Sequence, residues 1–361
     1  MMKDFKLAFP LLNTHIYLNT PFTGLISEDL KQYRRFLDNE FQIKGSLFAD
    51  EYEAEIIQST KANLAKYYST KPEQIGLVSN FSVGINLILN DLPQKSKVLL
   101  IKEDYPSVNF PVKSRDFLVS EVGISEYLEQ GIQSAFEKNQ PDFFIFSITQ
   151  FISGIKIDLE FLKTLKHSFP QTFFIADATQ YCGVESFNFE DSGIDVFGTS
   201  GYKWLNAGLG NGFFLFKSNF LKQFHFKSIG SNSLDEKPDG EPRLTGFLEP
   251  GHYDLVALAS LNFALKYHYE TVGIQQIETQ IQHLSKLAKA EFEKHDLLEK
   301  TVIKRNISSN IFSLKGDESL VEKLKNHNIL TAFRGGRVRV GFQYFNTEDD
   351  LDKLVSTISK D

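Results

Sequence analysis

The sequence predicts an α/β protein with a mainly parallel central sheet and a smaller α+β domain at its carboxyl end. Five short apolar runs, each typical of a buried strand, alternate with amphipathic segments, which indicates βα units. Beyond residue 251, a stretch of helical periodicity leads into short strands and helices, ending in "RVRVGFQYFNTEDDLDKLVSTI". A chain of 361 residues, 42% of them hydrophobic, can bury cores of this size.

The apolar runs predict the strands of the sheet, and the segments between them predict its helices. We expect strands at 97–101, 142–148, 172–177, 195–200 and 212–216, and helices at 124–138 and 159–168. Residues 231–251 are rich in Pro, Gly and charge, which predicts a long loop. The large domain is therefore expected over 26–251, and a long helix with the small domain over 252–361.

The composition excludes several classes of function. The formal charge is −7 and the basic residues are dispersed, so the sequence predicts no basic patch that would bind nucleic acid. Cys182, the one cysteine, excludes a disulfide framework and a multi-cysteine metal site and suits a reducing compartment. The start, "MMKDFKLAFPLLN", is unlike a signal peptide, and no apolar run is long enough to span a bilayer. We expect a soluble, cytoplasmic protein with no membrane partner.

The stretch "DVFGTSGYKWL" places Lys203 where a predicted strand meets a turn. A lysine becomes a catalyst when its amine loses a proton and attacks a carbonyl to form a Schiff base, and pyridoxal phosphate is the usual carbonyl. Such a site also needs a carboxylate for the pyridine nitrogen, an anion cradle for the phosphate, an aromatic face for the ring and a cation for the substrate carboxylate. We searched the sequence for each of these groups.

The carboxylate and the anion cradle each have a candidate. Asp177 ends the predicted strand "TFFIAD", at the edge of the sheet where ligands bind in open α/β folds; a helix N-cap is the alternative. Ser82 and Val83 lie where a strand-like segment gives way to a helix, so their amides could bind an anion. An ordinary Ser N-cap is the alternative there. Ser200 and Tyr202, beside the lysine, could add hydroxyl donors.

The aromatic face and the cation also have candidates. Tyr105 follows the strand "KVLLI" directly, and Pro106 fixes the turn so that the ring projects from the strand's end. Arg339 lies within a strand-like alternation, and its planar fork suits a carboxylate. Arg334 and Arg337 compete for that role. A packing tyrosine and a solvated edge strand are the respective alternatives.

In their order along the chain, these motifs resemble the class V branch of the fold-type I pyridoxal-phosphate enzymes, which includes cysteine desulfurases, kynureninases, aminotransferases and epimerase-like proteins. The resemblance covers nearly the whole chain and implies a large domain whose central sheet is sandwiched by helices. "SGYK" (200–203) resembles the family's "SGHK", which implies that Lys203 is the Schiff-base lysine. "DATQ" (177–180) resembles "DxAQ", which implies Asp177 as the pyridine partner and Gln180 as a contact on the phenolic side.

The resemblance implies roles for further residues. "SVGIN" (82–86) matches the phosphate-loop pattern, and Gln150 falls where the family bonds the cofactor's phenolic oxygen. Tyr105 falls at the ring-stacking position, and Arg339 precedes "NT" (346–347) with the spacing of the carboxylate-binding arginine. "YLNT" (17–20) resembles the amino-terminal strand that enters the active site, so residues 1–25 are expected to pack there, with Asn19 toward the substrate.

The chain also departs from the family. Desulfurases carry a loop cysteine shortly before the arginine, but "NILTAFRGGRVRV" has none, and Cys182 has the apolar neighbours of an inert packing residue. The "GT" that brings a phosphate ligand from the neighbouring subunit is replaced by Gly251-His252, so His252 could bind the phosphate or merely pack at an interface. Family members are typically homodimers with the active site at the interface, and we expect the same here.

Several reactions share the removal of an α-proton by Lys203. Transamination of an α-amino acid needs no further acid and is the leading hypothesis. A β-eliminating lyase acting on cysteine-like substrates and an amino-acid epimerase are alternatives. A catalytically inactive relative that serves as a binding protein is a further alternative.

Overall fold

The computed structural model describes residues 5–224, 227–233 and 244–359. It confirms the predicted fold class, an α/β protein with a mostly parallel central sheet flanked by helices. The strands of the described residues are β1 (Ile16–Tyr17), β2 (Ile75–Val78), β3 (Lys97–Ile101), β4 (Leu118–Val122), β5 (Phe143–Ser147), β6 (Phe173–Asp177), β7 (Val196–Ser200), β8 (Gly212–Phe216), β9 (Ile311–Leu314), β10 (Ile329–Leu330), β11 (Ala332–Arg334) and β12 (Arg337–Gly341).

Several helices of the described residues lie between one strand and the next, and two groups of consecutive helices, over 28–68 and 218–303, have no described strand between them. They are α1 (Glu28–Lys44), α2 (Ser46–Tyr68), α3 (Phe81–Leu89), α4 (Pro106–Lys113), α5 (Leu128–Asn139), α6 (Leu159–Ser168), α7 (Ser218–Gln223), α8 (Leu244–Leu248), α9 (Leu255–Lys266), α10 (Ile274–Lys294), α11 (Lys300–Ile303), α12 (Glu318–Asn326) and α13 (Glu348–Ser359). The expected strands and the helix at 159–168 are present, and the helix expected at 124–138 begins at Leu128.

The central sheet has seven strands in the order β2-β8-β7-β6-β5-β3-β4. The strands from β7 to β4 pair in parallel, and β8 runs antiparallel to both of its neighbours. The carboxyl ends of β3, β5, β6 and β7 therefore meet at one edge, where open α/β sheets bind ligands. This edge holds the predicted site.

Both faces of the sheet are covered, which explains why its strands read as continuous apolar runs. Along β5, Phe144 and Phe146 pack into one core cluster, and Phe143 and Ile145 pack into the other. Alternate side chains of a strand point to opposite faces, so a strand buried on both sides has no polar alternation.

The carboxyl-terminal part holds a second, smaller sheet in the order β11-β12-β9, with antiparallel pairing. The amino-terminal strand β1 pairs in parallel with β10. Leu18 continues this path, because its amide donates to Leu330 and its carbonyl accepts from Gly341. The pairing brings Asn19 alongside Gly341, at the end of β12.

The helical stretch after residue 252 is not the single long helix that the periodicity predicts. α9 ends at Lys266, a π-helical turn follows, and Gly273 takes a φ of 93° before α10 begins. An L side chain rarely adopts this conformation, so glycine marks the break. Within the turn, the buried ring of His268 lies with its Nε2 3.0 Å from the carbonyl oxygen of Trp204. Through His268, the π-helical turn therefore connects this segment to the lysine-bearing turn.

The region predicted as a long loop, 231–251, contains short helical segments where the structure describes it. A 3₁₀ turn covers Ser231–Ser233 and α8 covers Leu244–Leu248, and residues 234–243 lie outside the described residues. α8 forms because Leu248 is buried above Gly76 of β2. No helix within the described ranges is both long and apolar enough to cross a bilayer.

Gly198→Ala is expected to destabilise the sheet beside the lysine-bearing turn. Gly198 pairs with Phe214, and an added Cβ would lie 2.1 Å from Cε1 of that ring. Overpacking of this kind lowers the free energy of unfolding by about 1–3 kcal/mol, measurable by urea denaturation. Gly123→Ala is the control, because a Cβ there would meet nothing within 4 Å. Equal stability of the two variants would contradict this packing.

Candidate active site

Two adjacent strands bring the predicted lysine and its predicted acid to one edge of the sheet. Asp177 is the last residue of β6 and pairs with Gly198 of β7. β7 ends at Ser200, and the turn that follows carries Lys203. Trp204, buried directly after the lysine, anchors this turn in the core.

The amine of Lys203 is held in an environment that favours its neutral form. The residue is 5% exposed, and its Nζ makes no hydrogen bond with any described residue. Burial is the main cause that lowers the pKa of Lys203 to about 8, Asp177 opposes the shift, and Arg339 adds to it. The Nζ lies 5.5 Å from the ring centroid of Tyr105 and 5.7 Å from that of Tyr202. An amine with this pKa is substantially neutral in mildly basic solution and can act as a nucleophile.

Asp177 is a buried carboxylate that ends a strand and begins a turn. Its Oδ1 accepts a hydrogen bond from the amide of Thr179 at 2.8 Å. Burial raises the pKa of Asp177, whereas Thr179 and the charge of Lys203 lower it. No helix begins at this point, since the described residues 178–184 form turns, so the N-cap alternative is wrong.

A second buried acid, Asp104, lies close enough to Asp177 to be electrostatically coupled to it. Its carboxylate accepts hydrogen bonds from the amides of Tyr105 and Ser147, both at 2.6 Å. Burial is the main cause that raises the pKa of Asp104 to about 6. Asp104 therefore ties the end of β3 to the end of β5 and fixes the backbone that carries Tyr105. The sequence analysis missed this residue, although it stands directly before Tyr105 in "KEDYPS".

The first turn of α3 lies against the end of β7, as an anion site would require. Asn80 caps the helix, because its Oδ1 accepts from the amide of Val83 at 3.0 Å; the Ser N-cap alternative is wrong. The Oγ of Ser200 accepts from the amide of Phe81 at 2.9 Å. In the described part of the chain, the amide of Ser82 has no acceptor. An anion at this helix terminus would therefore use Ser82 and the neighbouring hydroxyls, with Val83 already occupied.

The hydroxyl of Ser82 points to a further candidate. Its Oγ lies 2.8 Å from the Oγ of Ser107, in the first turn of α4. Ser107 follows Tyr105 and Pro106, and its position in the sequence gave no signal of its own, since only the packing of α3 against α4 brings the two hydroxyls together.

Arg339 lies in β12 and is buried with unused hydrogen-bonding capacity. The residue is 3% exposed, its Nη1 donates to the carbonyl of Phe151 at 2.7 Å, and its Nε has no partner among the described residues. Burial is the main cause that lowers the pKa of Arg339 to about 10, and Arg334 adds to it. Of its two competitors, Arg337 pairs with Glu299 at 3.1 Å, and Arg334 is exposed at the end of β11.

The amino-terminal segment crosses the lysine-bearing turn. The amide of Gly24 donates to the carbonyl of Tyr202 at 2.7 Å, and the Nε2 of Gln180 donates to the carbonyl of Pro21 at 2.9 Å. The Oδ1 of Asn19 is buried and has no partner among the described residues. The segment thus brings a buried acceptor to the same end of the fold as Arg339.

The side-chain carbonyls of the two predicted glutamines are engaged within the protein. The Oε1 of Gln150 accepts from the amides of Ile152 and Ser153, at 2.7 and 2.6 Å. The Oε1 of Gln180 accepts from the Nε1 of Trp204 at 2.8 Å. Both glutamines therefore fix the turns around the lysine, and the cofactor contacts implied for them stay predictions.

Two further residues named from the sequence, His252 and Cys182, have contrasting surroundings. His252 is exposed just before α9, and its predicted role also stays a prediction. The Sγ of Cys182 is buried 2.8 Å from the hydroxyl of Tyr68, and burial raises the pKa of its thiol to about 12. A thiol in this environment is inert packing.

The residues present fit pyridoxal phosphate. A buried amine without a hydrogen bond, a coupled buried carboxylate, a helix terminus with a spare amide and the unpaired Nε of Arg339 supply each of the groups that the cofactor and an amino acid require. In the described ranges, no group of three His, Cys, Asp or Glu side chains could hold a metal ion.

Comparisons with known proteins agree with this fold. The cystine C-S lyase C-DES, solved in complex with its reaction product cysteine persulfide, is 16% identical with a TM-score of 0.86, covering 96% of this chain and 98% of that one. The apo cysteine desulfurase from Thermococcus onnurineus NA1 is 17% identical with a TM-score of 0.86, covering 99% and 98%. No curated protein matches the chain.

At these identities, the solved structures establish a shared fold. The family is established by sequence, because the aminotransferase class-V family matches residues 30–354. The match includes both Asp177 and Lys203 and reaches beyond Arg339. The chain therefore belongs to the aminotransferase class-V family of pyridoxal-phosphate enzymes.

Proposed function

We propose that the protein is a pyridoxal-phosphate-dependent aminotransferase that acts on an α-amino acid through Lys203. One observation carries the proposal: a buried amine with a pKa of about 8 is coupled both to a buried carboxylate, Asp177, and to a buried guanidinium, Arg339. The amine suits attack on an aldehyde, the carboxylate suits a pyridine nitrogen, and the guanidinium suits a substrate carboxylate.

When bound, pyridoxal phosphate supplies the aldehyde and a ring that takes up the electron pair left by the α-proton. Asp177 would hold the ring nitrogen, since an ionised carboxylate stabilises its protonated form. Tyr105 offers an aromatic face, and Ser82 offers an amide and a hydroxyl to the phosphate. Further candidate contacts are Gln150, Gln180, Ser200, Tyr202 and His252; Val83, predicted from the sequence, is not among them because its amide donates to Asn80.

Lys203 has a second task as the general base. Its neutral Nζ can remove a proton from the α-carbon of the substrate and return it at another atom. Arg339 would hold the α-carboxylate through its unpaired Nε and fix the α-carbon before the Nζ. Transamination requires no acid beyond this lysine, which is why we place it first.

A β-eliminating lyase acting on cysteine-like substrates is the second candidate, and the segment 329–341 supports it over a desulfurase. The segment forms β10, β11 and β12, with a tight turn at Gly335 and Gly336, both at positive φ, and contains no cysteine. Cys182 is sealed in the core. A desulfurase reaction that leaves a persulfide on a protein cysteine therefore lacks its thiol, whereas β-elimination needs no protein thiol. The similarity to a cystine C-S lyase points in the same direction.

We also propose that the protein works as a cytoplasmic homodimer with the active site at the interface. Four large apolar side chains are exposed at the end of α1 and the start of α2: Phe36, Phe41, Ile43 and Leu47. Exposed apolar patches mark contact surfaces. The exposed His252 would then be available to the partner's site, and the single buried thiol suits a reducing compartment.

The choice among these reactions is tested by mixing the holoenzyme with single amino acids. Conversion of the cofactor to its amine form, with release of a 2-oxo acid, supports transamination. Pyruvate released from cysteine or cystine without that conversion supports the lyase, and loss of optical purity alone supports an epimerase. No spectral change with any amino acid would contradict the proposal and support an inactive binding protein.

Lys203→Ala is expected to abolish covalent attachment of the cofactor, because among the described residues no other amine is coupled to Asp177. The measurement is the visible absorption of the imine after mixing apoprotein with pyridoxal phosphate. Lys217→Ala is the control, since its amine pairs with Glu190 on the surface. A Lys203→Ala protein with unchanged absorption would overturn the assignment.

Covalent attachment should accelerate as the pH rises through about 8, where Lys203 loses its proton. Only the neutral amine attacks the aldehyde, so a pKa below the usual 10.5 moves the rise to lower pH. The initial rate of imine formation, followed across this range, checks the prediction. A rise that occurs only near 10.5 would show an ordinary exposed lysine.

Cys182→Ala is expected to retain the specific activity of each folded molecule. The thiol is buried against Tyr68, and its removal leaves that hydroxyl without this partner, which costs about 1–3 kcal/mol of stability. Thermal unfolding and specific activity, measured on the same sample, separate the two effects. If a folded Cys182→Ala enzyme lost turnover, the thiol would have a catalytic role and the prediction would be wrong.

A further inference from the structure

A second arginine lies at the rim of the candidate site. Arg334 ends β11 and is exposed, with its guanidinium carbon 5.5 Å from the ring centroid of Phe22. Phe22 is itself 52% exposed, in the amino-terminal segment that crosses the lysine-bearing turn. The amide of Phe22 donates to the carbonyl of Asn19, which connects this ring to the buried acceptor at the site.

The hairpin that carries Arg334 has a defined position. Gly335 and Gly336 form its turn with φ values of 59° and 76°, a geometry that closes a two-residue hairpin. Gly335 lies against Ile152, since a Cβ at this position would approach that side chain to 2.8 Å. The turn around Ile152 is in turn fixed by Gln150. The hairpin that carries Arg334 is therefore held in place by its packing against Ile152.

The two arginines repel each other, and the described residues supply no anion to balance them. Arg339 of β12 pairs with Ala332 of β11, and Arg334 lies two residues further along β11, so the two arginines are diagonal neighbours in the hairpin. At this spacing, Arg334 lowers the pKa of Arg339. Among the described residues, neither guanidinium forms an ion pair with Asp or Glu, and the buried Nε of Arg339 lacks any partner. Like charges at one site are costly unless an anion joins them, and a bound dianion removes that cost.

The contact with Phe22 leaves Arg334 able to bind an anion. A cation–π contact with a ring face uses none of the hydrogen-bond acceptors that an N–H donor needs. One donor of Arg334 is used, because Nη1 bonds to the carbonyl of Phe333 at 3.0 Å. The others face no acceptor among the described residues.

We propose that the substrate is an α-amino acid with an acidic side chain, whose α-carboxylate binds Arg339 and whose second anionic group binds Arg334. This inference rests on the proposed function and names its substrate class. The aspartate, glutamate and sulfonate side chains share the required chemistry, a short chain ending in an oxyanion. A planar fork of donors suits any of these groups.

A solvated arginine at a hairpin tip is the alternative account of Arg334. Such a residue would need no particular neighbour and would have no effect on a buried group. Arg334 instead makes a cation–π contact with Phe22 and is a diagonal neighbour of Arg339, whose pKa it lowers. Arg337 of the same hairpin shows the contrast, since its guanidinium bonds to the carbonyls of Leu297 and Ser313 and to Glu299.

The kinetic test compares kcat/KM for glutamate, aspartate and cysteate with that for alanine and glutamine on the holoenzyme. We expect a preference for the acidic amino acids that Arg334→Gln reduces roughly tenfold, the size of a hydrogen bond to a charged group. Arg334→Lys should retain part of the preference. Arg337→Gln is the matched control from the same hairpin, and the ratio of substrates does not depend on how much enzyme is folded.

A binding test needs no turnover. Maleate should raise the melting temperature of the apoprotein more than crotonate at equal concentration, and Arg334→Gln should remove the difference. If neutral amino acids react as well as acidic ones and maleate has no advantage, the inference is wrong and the proposed function stands. If no amino acid changes the cofactor spectrum, the proposed function itself fails.

Discussion

The site depends on one constraint, the burial of an amine beside a carboxylate at the ends of two paired strands. The register of β6 and β7 sets Asp177 opposite Gly198, and the turn after β7 then carries Lys203 into the same region. Removing water from both groups favours their neutral forms, while their mutual attraction favours the charged ones. This balance lowers the pKa of Lys203 to about 8, and the cost of removing water from such a pair can exceed the attraction between its charges.

The rest of the fold completes the site from three separate directions. The first turn of α3 brings an amide, the amino-terminal segment brings Asn19, and β12 brings Arg339. Each of these backbone segments is held by main-chain hydrogen bonds, and the side chain of Arg339 is also held by its bond to the carbonyl of Phe151. Preorganisation of this kind is what positions a substrate for proton transfer. The π-helical turn adds a further connection, because its His268 contacts the carbonyl of Trp204 and so joins the carboxyl-terminal segment to the lysine-bearing turn.

The sequence predicted the strands well, because strands buried on both faces leave unbroken apolar runs, and it placed Lys203 correctly in the turn after one of them. It could not reveal Asp104 or Ser107, whose significance arises only when β3 meets β5 and α4 meets α3. It also predicted one long helix where Gly273 imposes a break, since hydrophobic periodicity continues through a π-helical turn. The capping of α3 by Asn80 was missed because Ser82 is an equally good N-cap residue by type. Where a local sequence pattern is compatible with more than one structure, contacts between distant segments therefore determine which one forms.

The most direct measurement is peptide mapping by mass spectrometry after borohydride reduction of the holoenzyme. The account predicts a pyridoxyl group on the peptide that contains Lys203, and an unmodified lysine at every other position. Its central claim is that burial beside Asp177 makes this one amine the nucleophile. A pyridoxyl group spread over surface lysines, with Lys203 unmodified, would contradict it.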